Sequence, residues 1–75
     1  MPTLREIRLR RFWSQRELAN RAGVAQRTIV EAELGRQVPR LATMRKLAEA
    51  LGVDPIEVDE FRAAVESAVE EKEAA

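Results

Sequence analysis

A chain of seventy-five residues forms one small domain with a single thin core, and this one contains no cysteine and no histidine. Disulfide bonds and the usual soft metal ligands are therefore excluded, so stability must come from helix packing, oligomerisation or both. The opening residues, Met-Pro-Thr-Leu-Arg, form no apolar signal region, and no apolar run approaches the roughly 20 residues that span a bilayer. We expect a soluble, cytoplasmic protein without a membrane partner.

The net charge of zero conceals two halves of opposite charge. Residues 1–46 hold eleven basic and four acidic side chains, a net +7, whereas residues 47–75 hold two basic and nine acidic side chains, a net −7. A pI near neutrality therefore does not exclude a polyanionic partner, because one surface can be strongly positive while another is negative. Solvated helix faces are the alternative, but so complete a division favours nucleic acid.

Five helices are predicted, and most have sequence marks at their ends. Ser14-Gln15-Arg16-Glu17 has the form of a capping box, which starts a helix at Gln15, and Gly23 suits the left-handed backbone that ends it. Asp54-Pro55-Ile56-Glu57 combines an aspartate cap with a proline at the first helical position, a start signal for the fifth helix. No segment alternates with period two, so the fold class is all-α. The helices are predicted over about residues 3–11, 15–22, 25–34, 41–51 and from 55 onwards.

The spacing within residues 15–34 is more specific than any single residue in that range. Two helices joined by a turn of about three or four residues cross closely, so the crossing requires small residues, a glycine in the turn and aliphatic neighbours. A plain helical hairpin would tolerate the same composition without needing the spacing, so a helix-turn-helix at the second and third helices is favoured. The residues that meet the requirement are Leu18, Ala19, Ala22, Gly23, Val24, Ile29 and Ala32.

Taken together, "LREIRLRRFWSQRELANRAGVAQRTIVEAELGR", then Pro39 and "LATMRKLAEALGVDP", form a specific set. These stretches resemble the Cro and phage-repressor-like helix-turn-helix family, also called the xenobiotic-response-element family, over about residues 4–61. The resemblance implies a compact five-helix, lambda-repressor-like DNA-binding domain over residues 1–61. Residues 62–75 would then be an extension of the fifth helix and an acidic C-terminal tail.

In this family the second helix of the motif lies in the major groove, while the preceding helix crosses the DNA backbone. The resemblance also implies a buried ion pair, here between Arg8 and Glu33. Side-chain chemistry agrees with base contacts, since glutamine pairs with adenine and arginine with O6 and N7 of guanine. The implied base contacts are Gln26, Arg27, Val30 and Glu31. The implied phosphate contacts are Gln15, Arg16, Arg36 and Arg40.

Several residues depart from the family pattern. Many relatives have a hydroxyl side chain that caps the third helix, where this chain has Ala25. Glu31 would face phosphates unfavourably unless it accepts from cytosine N4 or pairs with Arg27 one turn earlier, and both alternatives stay open. Phe12 and Trp13 stand where relatives usually have glycine and leucine. We expect Trp13 in the core and leave the exposure of Phe12 open.

The fifth helix carries an apolar stripe that continues past the expected end of the domain. Its residues recur at the 3, 4 and 3 spacing that is typical of helix-on-helix packing, and Val69 widens the stripe. The part of the stripe up to Phe61 is expected to complete the core of the domain. Beyond Phe61 the stripe either folds back onto the first helix or forms a symmetric dimer. The resemblance favours a homodimer, because such proteins read two-fold symmetric sites. The interface candidates are Phe61, Val65, Ala68 and Val69.

Two classes of function remain. The first is a repressor-like transcriptional regulator that binds double-stranded DNA sequence-specifically. The second is an antitoxin-like or adaptor module for protein interaction with weak or no DNA binding, because Val30, Glu31 and Leu34 also suit a protein surface. We do not expect an enzyme, since histidine, cysteine, tyrosine and a glycine-rich phosphate loop are all absent from the sequence. No cofactor, metal ion or small-molecule substrate is predicted.

Overall fold

The computed structural model describes residues 1–74, with side chains described for residues 1–71. Within this range the regular elements are all helical, and the predicted all-α class with five α-helices is confirmed. Every helix except the fifth begins within about a residue of its predicted start. The elements are α1 (Leu4–Arg10), α2 (Gln15–Ala22), α3 (Gln26–Glu33), α4 (Leu41–Leu51), a 3₁₀ turn (Pro55–Glu57) and α5 (Asp59–Ala74).

Hydroxyl side chains cap α1 and α2. The Thr3 hydroxyl accepts a hydrogen bond from the Glu6 amide at 3.1 Å, and the Ser14 hydroxyl accepts from the Glu17 amide at 3.0 Å. The Glu17 carboxylate pairs with Arg21 at 3.0 Å instead of returning to the Ser14 amide. Half of the predicted capping box is therefore formed, and it is enough to start α2 at the predicted residue because one cap oxygen satisfies an otherwise free amide.

The fifth helix begins later than predicted. The Asp54 amide donates to the Glu57 carboxylate at 2.6 Å, but this capped segment ends after one 3₁₀ turn. Val58 then takes an extended backbone, with φ −96° and ψ 120°, and its side chain is fully buried. The Asp59 amide donates to the Pro2 carbonyl at 2.9 Å, and α5 starts at that residue. The prediction of a helix from residue 55 is wrong, because burial of Val58 takes the chain out of helical backbone.

A single hydrophobic core joins all five helices. Phe61 is fully buried in it, because the first turn of α5 packs onto the body of the domain. Its place among the dimer-interface candidates is therefore corrected: Phe61 completes the core of its own chain. The other buried members are Leu4, Ile7, Leu18, Ala19, Ile29, Ala32, Met44, Leu47, Leu51 and Val58.

Candidate nucleic-acid interface

The turn between α2 and α3 has the geometry of a helix-turn-helix. Gly23 has φ 70°, and a β-carbon there would meet nothing within 4 Å, so glycine serves the left-handed backbone rather than a lack of space. The two helices meet through side chains that are almost completely buried, Leu18 and Ala19 from α2 with Ile29 and Ala32 from α3. The small alanines allow the close crossing that the spacing predicts.

A buried ion pair holds the end of α3 against α1. Arg8 Nε donates to Glu33 Oε2 at 2.7 Å and Arg8 Nη2 to Glu33 Oε1 at 3.0 Å, with the two side chains 8% and 5% exposed. Arg8 Nη1 also donates to the Trp13 carbonyl at 2.8 Å, and Gln15 Nε2 donates to Glu33 Oε1 at 3.1 Å. Loss of one partner from such a pair costs about 3–5 kcal/mol, because a buried charge is left behind. The pair implied by the resemblance is present and fixes α3 relative to α1 and the start of α2.

The four residues of α3 that were expected at base edges differ in exposure. Gln26 and Arg27 are exposed, whereas Val30 and Glu31 are half-buried. Arg27 Nε lies 3.7 Å from Glu31 Oε1, an ion-pair distance, and the arginine side chain is 88% exposed. Of the two alternatives left open for Glu31, the structure contains the intrahelical pair. The polar groups that α3 presents outward are therefore chiefly those of Gln26 and Arg27.

The expected phosphate contacts also fall into two groups. Arg16, in the first turn of α2, and Arg36 and Arg40, in the loop between α3 and α4, are exposed. Gln15 is half-buried, and its side-chain amide donates to Glu33. The side chains of the three arginines are thus accessible to a polyanion. The Gln15 side chain is already engaged in the contact that holds α2 to α3.

Two surface grooves border α3 and include residues that the sequence did not single out. A groove of about 220 Å³ between α3 and the following loop contains Thr28, Gln37 and Thr43 beside Glu31 and Arg40. A second groove, of about 270 Å³, lies between α1 and α3 and contains Arg5 together with Arg8, Gln15 and Val30. For Arg5 a sequence signal existed, because it precedes Arg8 by one helical turn. Thr28, Gln37 and Thr43 carry no such sequence signal, because the path of the loop after α3 brings them together.

The two aromatic residues before α2 have different environments. Trp13 is half-buried and packs against the edge of the core, with the Arg21 guanidinium 4.3 Å from the ring centroid. The expected core position of Trp13 is therefore only partly correct, because one face of the ring is covered by a cation instead of by apolar residues. Phe12 is 93% exposed and has φ 57°, the left-handed region.

The apolar stripe on α5 is divided between the core and the surface. Val65 is half-buried and packs against the core, so this part of the stripe folds back onto its own chain. Ala68 is half-buried, and Val69 is 50% exposed. Ala68 and Val69 are therefore the interface candidates that remain available to a second chain. The expected acidic tail includes Lys72–Ala75, which lie outside the residues whose side chains are described.

Among the described residues, no helix has both the length and the apolar character needed to cross a membrane. In that same part of the chain, no group of three or more acidic, histidine or cysteine side chains is placed to hold a metal ion.

The fold, with α3 held against α1 by the ion pair of Arg8 and Glu33, defines a helix-turn-helix protein. A helix-turn-helix family model matches residues 4–58. The chain belongs to this family, and the predicted relationship to Cro and phage-repressor-like proteins is confirmed. It is 42% identical over 50 residues to the cryptic phage CTXphi transcriptional repressor RstR of Vibrio cholerae, a match that covers 67% of this chain and 45% of that protein. It is 43% identical over 54 residues to an uncharacterized HTH-type transcriptional regulator of Methanothermobacter thermautotrophicus, covering 72% of this chain and 78% of that protein. No solved structure matches significantly.

Proposed function

We propose that this protein is a repressor-like transcriptional regulator that binds double-stranded DNA sequence-specifically with α3 in the major groove. The observation that carries the proposal is that Gln26 and Arg27 are exposed on α3. The buried ion pair between Arg8 and Glu33 fixes that helix against α1. Base contacts discriminate sequences only if the helix that makes them is held in register. The match to a phage repressor and to a transcriptional regulator supports the same function.

Base readout is assigned to α3. Gln26 has an amide that pairs with adenine N6 and N7, and Arg27 has terminal nitrogens that pair with guanine O6 and N7. Val30, half-buried beside them, presents methyl groups suited to the C5-methyl of thymine. Each well-formed bidentate contact contributes about 1–3 kcal/mol of discrimination against the wrong base.

Phosphate binding is assigned to the exposed arginines on both sides of the motif. Arg16 lies at the start of α2, where free backbone amides also favour an anion, and Gln15 adds its own backbone amide there. Arg36 and Arg40 contact the backbone from the loop after α3. These contacts position α3 without carrying sequence information themselves.

We further propose that the protein acts as a homodimer through the exposed part of α5, at Ala68 and Val69, and reads two half-sites. Its place of action is then the cytoplasm, where a chromosomal operator is accessible. The family is typically non-enzymatic. We accordingly assign it a binding role without a catalytic step.

A protein-interaction module is the second candidate function. It is favoured by three exposed aliphatic side chains between the end of α3 and the start of α4. Leu34, Val38 and Leu41 are 59%, 65% and 52% exposed. Exposed aliphatics in one region of a small domain are a feature of protein-binding surfaces. On this alternative α3 contacts a protein and DNA is bound weakly or not at all.

Selection from a randomised duplex library, followed by a salt titration on the enriched duplex, separates the two functions. A DNA-reading protein should enrich related half-sites about one helical turn apart and lose affinity steeply with salt, in proportion to the phosphates contacted. Arg40→Ala should weaken binding to all sequences alike and reduce the salt slope by about one. Arg45→Ala, an exposed arginine on α4 outside the assigned site, is the matched control. Failure to enrich any sequence at low salt would refute DNA readout and favour the interaction module.

A further inference from the structure

Arg27 and Glu31 lie one turn apart on α3 but differ greatly in exposure. The Arg27 side chain is 88% exposed, whereas the Glu31 side chain is 20% exposed. Glu31 forms part of the groove between α3 and the following loop, which Thr28, Pro39 and Thr43 also line. The carboxylate is thus kept close to the body of the protein while the guanidinium extends into solvent.

The contact between the two residues uses one particular nitrogen of the arginine. Arg27 Nε lies 3.7 Å from Glu31 Oε1, within ion-pair range and slightly beyond hydrogen-bond distance. When a guanidinium contacts its partner through Nε, both terminal nitrogens are still available as hydrogen-bond donors. Those two donors match O6 and N7 of guanine. The pair therefore restricts the long arginine side chain without using the donors needed for base readout.

We propose that Glu31 is a positioning residue that orients Arg27 toward a guanine, and that it sets specificity through Arg27 instead of by its own contact with a base. The inference rests on the proposed function. A free arginine samples many rotamers, and a partner that restricts them reduces the entropy lost on binding. A carboxylate near the phosphates also disfavours non-guanine sites, because without the arginine–guanine contact its repulsion is not compensated.

Two measurements on Glu31→Gln follow from this role. Preference for guanine over adenine at the position read by Arg27 should fall about twofold, as expected for the loss of an exposed i to i+4 ion pair. Affinity for an unrelated duplex should rise about twofold, because one negative charge near DNA is removed. The matched control is Glu49→Gln, since Glu49 pairs with Arg45 at 3.9 Å on α4 with the same i to i+4 spacing. The control should alter neither quantity.

A double-mutant cycle with Arg27→Ala gives the decisive test, using the duplex enriched by the wild-type chain and the same duplex with adenine in place of guanine. Positioning through Arg27 predicts that Glu31→Gln has no effect on base preference once Arg27 is alanine. If the effect of Glu31→Gln persists in the Arg27→Ala background, or if it appears as a changed preference at a different base pair, Glu31 reads DNA directly and the inference is overturned.

Failure of the inference and failure of the proposed function give different results. If the wild-type chain enriches a duplex and the cycle shows no coupling, only the role of Glu31 is overturned. If the wild-type chain enriches nothing while unfolding cooperatively, DNA readout itself is overturned, and the role of Glu31 falls with it. Circular dichroism of each variant separates loss of contact from loss of fold, because neither side chain belongs to the core.

Discussion

Phe12 is the residue whose side chain least suits its backbone. Its φ of 57° lies in the left-handed region, which costs an L-residue about 1–2 kcal/mol, and its ring is 93% exposed. Almost no burial offsets that cost. The family resemblance implies that relatives usually have glycine at this position. Glycine adopts a left-handed backbone without a steric penalty.

Phe12→Gly should therefore raise the free energy of unfolding by about 0.5–1 kcal/mol, because relief of backbone strain exceeds the added entropy of the unfolded chain. The measurement is the midpoint of urea unfolding, followed by circular dichroism. Phe12→Ala is the matched control: it removes the ring but keeps a β-carbon, so it should bring no comparable gain. Equal gains from both substitutions would show that the exposed ring, and not the backbone, limits stability.

Residue-scale predictions from the sequence were best where one side chain had one partner of fixed geometry. The pairing of Arg8 with Glu33 followed from the family resemblance, and the contact of Arg27 with Glu31 followed from helical spacing. The partner of Gln15 is harder to predict, because its hydrogen bond to Glu33 depends on how α1, α2 and α3 pack together. The groove that joins Thr28 and Thr43 to Glu31 depends on the loop after α3 and could not be read from spacing.

At the scale of single elements, α3 begins without a side-chain cap, as α4 also does. Ala25, the residue before α3, has the extended backbone of a cap, with φ −69° and ψ 141°, but no side-chain oxygen accepts from the first turn. In α1 and α2, hydroxyl groups of Thr3 and Ser14 fill that role. The stability of α3 therefore depends on tertiary contacts, chiefly the burial of Ile29 and the ion pair at Glu33.

Ala25→Thr should stabilise the protein by about 1 kcal/mol relative to Ala25→Val, because the two side chains have nearly the same shape and only threonine provides a cap oxygen. Thermal unfolding of the two variants under identical conditions measures this difference. Equal stability of the two variants would contradict the idea that the missing cap limits α3.

At the scale of the whole molecule, the start of α1 is tied to the start of α5, while the far end of α5 keeps an exposed apolar residue. The Leu4 amide donates to Glu60 Oε1 at 2.8 Å, which joins α1 to the first turn of α5. Val65 then packs on the core, while Val69 near the end of α5 stays half exposed. A second chain is the proposed cover for this end of α5.

Val69→Glu should weaken dimerisation by at least about tenfold, because an unpaired carboxylate would be buried in an apolar interface. Sedimentation equilibrium across a range of protein concentrations measures the effect. Ser67→Glu, which adds the same charge at an exposed position of α5, is the matched control and should have a smaller effect. A wild-type chain that remains monomeric on its enriched operator would contradict the dimer proposal.

The fold was largely predictable from sequence because its helices carry local signals. Capping residues, glycines at helix ends and an apolar stripe over 41–51 act within a few residues, so they can be read along the chain. The start of α5 was missed for the opposite reason. The sequence signal at Asp54 is real and forms a capped turn, and Val58 belongs to the predicted apolar stripe. That Val58 is buried in an extended backbone, and not in a helix, is a tertiary effect that no local pattern indicates.

By itself, the sequence determined the all-helical class, the helix-turn-helix spacing, the opposed charges of the two halves and the exposed Gln26 and Arg27. These properties follow from periodicity and composition. The tertiary structure alone decided that Gln15 donates to Glu33, and that the Glu31 side chain is largely covered while the Arg27 side chain extends into solvent. The physical reason is that burial depends on which distant element covers a side chain, and that is settled only when the helices pack.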